Sequence, residues 1–71
     1  MGCVNPDGTL TETARAMIRA LEKPATPEEL AVRVDQPVFL VRSGLRQLSA
    51  AGFVRVQGEQ YQATDSGRAR L

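Results

Sequence analysis

Apolar residues in the first third of the chain recur at intervals of three and four: Leu10, Ala14, Met17, Ile18 and Leu21. That spacing places one stripe on a helix of about three turns. Thr9 stands where it can cap the start, with Glu12 three residues on to complete a capping box, and Pro24 predicts the stop. Arg15, Arg19 and Lys23 lie off the stripe, Lys23 where a cation suits the negative end of a helix dipole. A second start signal follows at once in Thr26-Pro27-Glu28-Glu29. Thr26 caps, Pro27 takes the first helical position and Glu29 closes the box. Leu30, Ala31 and Val34 give this short helix one buried face. Asp35-Gln36-Pro37 breaks it, because the residue before a proline avoids the helical region.

The next helix is predicted from about Pro37 to Ala51, with Asp35 or Gln36 as its cap. Turning 100° per residue, Val41, Leu45 and Leu48 share a narrow inward arc, flanked by Val38. Phe39, Ser43, Arg46 and Ala50 fall opposite that arc. Arg42 and Ser49 lie at one edge, Leu40 and Gln47 at the other. Gly52 is placed as the left-handed residue after the helix, with Phe53 folding back on it. The period then changes to two. Val54 and Val56 alternate with Arg55 and Gln57, and Tyr61 and Ala63 with Gln60 and Gln62, which predicts two half-buried strands. Gly58-Glu59 between them suits a two-residue type II′ hairpin loop. Pro24-Ala25 is a candidate third strand, and Thr64 can cap a final turn containing Gly67.

Helix, helix, turn, helix and hairpin in that order are the skeleton of a winged helix-turn-helix. Residues 26–67 resemble the winged helix-turn-helix domains of bacterial and archaeal transcription regulators of the MarR, ArsR and PadR types. The matching pieces are TPEELAVRV, VRSGLRQLSAAGFVRV and YQATDSGR, in which Ala63-Thr64-x-x-Gly67 resembles the Leu-Thr-x-x-Gly that follows the wing in those proteins. The resemblance implies an α+β fold of three helices plus a short antiparallel hairpin wing. It implies a third helix, about 37–51, that enters the DNA major groove, and a small prokaryotic transcriptional regulator that binds double-stranded DNA sequence-specifically. Residues 1–8, with the turn-forming Asn5-Pro6-Asp7-Gly8, are expected to be a flexible arm, and residues 9–71 the folded domain.

Composition narrows the chemistry. The chain has 71 residues, 42% of them hydrophobic, enough for one small core. Nine basic and eight acidic residues leave a formal charge of +1, so a nucleic-acid footprint must come from local clustering and not from bulk charge. There is no histidine and a single cysteine, which leaves no basis for histidine acid–base chemistry, a zinc set or a disulfide framework within this sequence. No serine or threonine has a base at a motif spacing, and no glycine-rich phosphate loop is present. The expectation is a protein with no enzymatic activity, cofactor or metal. No apolar run approaches the roughly 20 residues of a membrane span. Met1-Gly2-Cys3 resembles an acylated start, but Pro6 stands where that motif has serine or threonine. A cytoplasmic location is expected.

The candidate DNA-binding residues are Phe39, Arg42, Ser43, Arg46 and Arg55. Arg42 and Arg46 are four apart on the helix, so they share a face and can reach a phosphate and a guanine edge. Arg55 is expected to point outward on the wing strand, toward flanking phosphate. Their other reading is a solvated surface. Pro37-Val38-Phe39-Leu40 is large and apolar where these families place small polar residues, and the wing tip carries Glu59 where a basic tip is common. Phe39 accordingly has three readings: contact with DNA, burial with Leu40 in a homodimer or partner interface, or partial burial against the amino-terminal arm. A protein-interaction module docking through Phe39 and Leu40 is the competing function.

Overall fold

The computed structural model describes Asn5 and residues 9–71. The acylation-like start, the Pro6-Asp7-Gly8 turn and the rest of the expected arm lie outside the described residues. Asn5 donates its backbone N–H to the Thr9 carbonyl at 2.7 Å and its side-chain amide to the Thr9 hydroxyl at 3.0 Å. The elements are α1 (Glu12–Ala20), α2 (Pro27–Val34), α3 (Val38–Ala50), β1 (Val54–Gln57), β2 (Gln60–Ala63) and α4 (Asp65–Arg68).

Helix α1 begins two residues later than its pattern predicts. Thr11, not Thr9, is the cap, and its hydroxyl accepts from the Ala14 N–H at 3.2 Å. Leu10 is buried ahead of the helix, which leaves Thr11 at the boundary. Glu12 becomes the first helical residue and pairs with Arg15 instead of closing a box. The helix also ends early, at Ala20, so Lys23 is outside it. Leu21 turns into the core, and Arg33 of α2 donates to the carbonyls of Ala20 at 2.9 Å and Lys23 at 3.1 Å. Those bonds satisfy acceptors that a continued helix would have used.

Helix α2 has the full capping box. The Glu29 N–H donates to the Thr26 hydroxyl at 3.2 Å, and the Thr26 N–H donates to the Glu29 carboxylate at 2.9 Å. The Thr26 backbone N–H holds the Glu29 carboxyl below its ordinary 4.5 against an opposing desolvation, with help from the Thr26 hydroxyl and Arg33. Asp35 closes α2 in the left-handed region at φ 55° and so does not cap α3. Gln36 does not cap it either. Its N–H bonds back to the Ala31 carbonyl at 3.1 Å. The cap position of α3 falls to Pro37, which has no side-chain bond to offer.

Along α3, Val41, Leu45 and Leu48 are buried as their arc requires, and Gly44 is buried with them. Val38, expected beside the arc, is instead exposed at the helix start. The far end closes as a Schellman motif. Gly52 has φ 82°, the Phe53 N–H reaches the Leu48 carbonyl at 2.9 Å, and the Gly52 N–H reaches Ser49 at 3.0 Å.

The hairpin pairs Val54 with Ala63, Arg55 with Gln62, Val56 with Tyr61 and Gln57 with Gln60. Gly58 alone in the loop has positive φ, the φ pattern of a type II′ turn. Ala25 adds the expected third strand as one antiparallel bridge, exchanging bonds of 3.0 and 2.7 Å with Tyr61. Val54 is buried, but Val56 is 55% exposed. The alternation holds, yet the ribbon extends past the core, so the residue nearer the tip is uncovered. Thr64 caps α4, accepting from the Gly67 N–H at 3.1 Å and donating to the Gly52 carbonyl at 2.6 Å. Gly67 lies so close to Phe53 that a Cβ there would stand 2.1 Å from its carbonyl oxygen. That contact accounts for the Thr64-x-x-Gly67 spacing. Helices α1 to α3 and the base of the wing enclose one core, built from Leu10, Met17, Ile18, Leu21, Leu30, Val41, Leu45, Leu48 and Val54 with small Ala14, Ala25 and Ala63. Val34, Phe53 and Tyr61 pack against it partly buried. The architecture is α+β, a small winged helix-turn-helix with a fourth short helix after the wing.

Candidate nucleic-acid interface

Asp35, Gln36 and Pro37 are the whole connection between α2 and α3. A link that short, with its left-handed first residue, turns the chain sharply and leaves the far side of α3 in solvent. On that side Phe39 is 68% exposed, Arg46 and Ala50 are exposed, and Ser43 is half-buried. Leu40, grouped with Phe39 in the docking reading, is half-buried. Val32, in the last turn of α2, is 82% exposed and is a further apolar surface residue near the turn.

Between α3 and the wing runs a groove. Two adjoining hollows share Pro27, Arg42, Val56 and Tyr61. One extends toward Thr26, Glu28, Gly58 and Glu59, the other toward Arg46, Ser49 and Ala50. Arg42 and Arg46 therefore stand together, as their spacing of four predicts. Arg42 forms an ion pair with Glu28 from the first turn of α2, both side chains more than half exposed. Arg46 has no ion-pair partner among the described residues.

Arg55 is elsewhere. Neighbouring residues of a strand point to opposite faces, and Val56 takes the groove side. Arg55 lines a separate hollow with Gln62, Thr64, Ser66 and Arg68, where Arg68 pairs with Asp65. The five residues singled out from sequence are thus dispersed: Phe39 stands at the bare start of α3, Arg42 and Arg46 line the groove, Arg55 lies behind the wing, and Ser43 is half-buried on α3 and does not line the groove. Glu28, Val56 and Tyr61 also line the groove and were not foreseen in it. Glu28 lies 14 residues from Arg42, and a capping signal accounted for it completely in the sequence.

Among the described residues no cluster of three or more metal-binding side chains exists, and no helix is long and apolar enough to cross a membrane. No protein-family model and no curated protein matches the chain.

Proposed function

We propose that the domain binds double-stranded DNA as a small, cytoplasmic transcriptional regulator, with α3 in the major groove. The observation that carries this reading is the outward face of α3, on which Arg46 stands exposed without an acidic partner at the centre of a helix-turn-helix. A guanidinium so placed can bond two acceptors of a guanine edge. Arg42 beside it is held in an exposed ion pair with Glu28 that contributes about 0–1 kcal/mol, so Glu28 competes with a backbone phosphate for it. The acidic wing tip and the turned-away Arg55 limit the contacts that one copy makes, so useful affinity calls for two copies on a site or for a partner chain.

The test is binding to mixed genomic fragments at two salt concentrations. Wild-type affinity is expected to fall as salt rises. Arg46→Ala should weaken binding with its melting curve unchanged. A folded wild-type sample that binds no DNA at low salt overturns the proposal.

The exposure of Phe39 and Val32 supports a second reading, a module that docks protein through the start of α3. Phe39→Ala then lowers sedimentation-measured association and leaves DNA affinity alone, whereas a DNA role gives the opposite pair of results.

A further inference from the structure

We infer that Glu28 and Glu59 suppress phosphate-driven binding to duplex DNA, a conclusion that rests on the DNA reading above. Both acids line the groove that contains Arg42, one from the first turn of α2 and one from the wing tip. A phosphate backbone at the wing-tip end of that groove would meet two carboxylates and an arginine already paired with one of them. Sequence-independent affinity comes from neutralising phosphates. A groove with one paired and one unpaired arginine facing two acids does little of that. Its charges nearly cancel, and what remains is Arg46, the residue placed to read a base edge. The acids thus lower the phosphate-driven part of the affinity, which acts on every duplex alike.

Glu28 and Glu59 act differently. Glu28 withholds Arg42 through a direct ion pair. Glu59 has no ion-pair partner among the described residues and acts through its field. Capping of α2 does not depend on Glu28, since Thr26 and Glu29 form the box. Glu59 follows the positive-φ Gly58 in the loop and is exposed.

The experiment measures binding of a random-sequence duplex by wild type, E28Q, E59Q and the double variant E28Q/R42Q over a salt series. E28Q and E59Q should each tighten binding by about 2- to 5-fold at low salt, with the gain shrinking as salt rises. E28Q should also steepen the slope of log affinity against log salt by about one, the signature of one added phosphate contact, and E59Q should not. The E28Q gain should vanish in E28Q/R42Q. A wild type that binds while E28Q and E59Q bind no better overturns this inference and leaves the DNA reading standing. An E28Q gain that survives in E28Q/R42Q overturns the ion-pair role. If neither wild type nor any variant binds, the DNA reading falls and this inference with it. A purely structural role for the acids would move melting temperature and not the salt slope.

Discussion

The two helices of the helix-turn-helix are stabilised in opposite ways. Helix α2 has eight residues and is defined at its ends: a complete capping box, a proline in the first turn, two acids beside it, a basic last turn and a left-handed stop. Helix α3 has 13 residues and no side-chain cap, no acid in its first turn and no base in its last. Its amino-terminal turn contributes little to its own stability. Its position depends on the buried arc of Val41, Gly44, Leu45 and Leu48 and on the Schellman closure at Gly52. Stability that comes from one face leaves the other face unconstrained. The comparison therefore bears on function: α2 is a fixed support, and the outward side of α3 is available for recognition without cost to the fold.

The strongest test of that contrast is Leu45→Ala. Leu45 is 1% exposed at the centre of the arc, so truncation should lose about 2–5 kcal/mol in chemical denaturation, a large share of a small domain's stability. A melting midpoint that does not move would show that α3 is not anchored by this face. Next in size is Thr26→Ala, which removes the α2 cap and should lose about 0.5–2 kcal/mol, read in the same denaturation assay. If Thr26→Ala matched Leu45→Ala, the division between an end-defined and a face-defined helix would be wrong. Phe39→Ala probes the bare first turn of α3. With the ring 68% exposed, the loss should be about 0.5 kcal/mol or less, and a larger one would place Phe39 in the core.

The smallest effect is the pH dependence of α2. The Glu29 carboxyl is held below its ordinary 4.5 in the folded chain, so the unfolded chain binds a proton first as pH falls. The stabilisation from this group is complete above 4.5 and is lost as pH drops through the lowered folded value. Comparing wild type with Glu29→Gln in thermal melts should show a difference at neutral pH that closes in acid. A gap that widened toward low pH would reverse the sign and refute the capping role of Glu29.

Local rules were enough wherever a feature is completed within a few residues. The Thr26–Glu29 box, the Gly52 closure, the Gly58-Glu59 loop and the period-two strands each depend on neighbours in the chain, and each is legible from residue type and spacing. The inward arc of α3 follows from the same periodicity. The first helix shows where local rules fail. Thr9 and Thr11 are both chemically good caps, but Leu10 between them is buried ahead of the helix, the Thr9 hydroxyl accepts from Asn5, and the cap falls to Thr11. Asp35 is a suitable cap for α3 by composition, yet the left-handed stop of α2 takes it. Val56 alternates correctly and is still exposed, because a pattern of two gives the face of a strand but not how far the core extends along it.

The candidate site divides in the same way. Sequence alone determined that Arg42 and Arg46 share one side of a helix whose opposite side is core, and that Arg55 alternates away from Val54 and Val56. Those are consequences of 3.6 and 2.0 residues per repeat, which act within a single element. Tertiary structure decided that the groove opens on the Val56 side of the wing, so that Arg55 is separated from the other two arginines. It also decided that Glu28 meets Arg42 across 14 residues of chain, and that Gly67 must approach the Phe53 carbonyl more closely than any side chain allows. Each of these depends on how one element packs against another, a distance in space that no periodicity along the chain encodes.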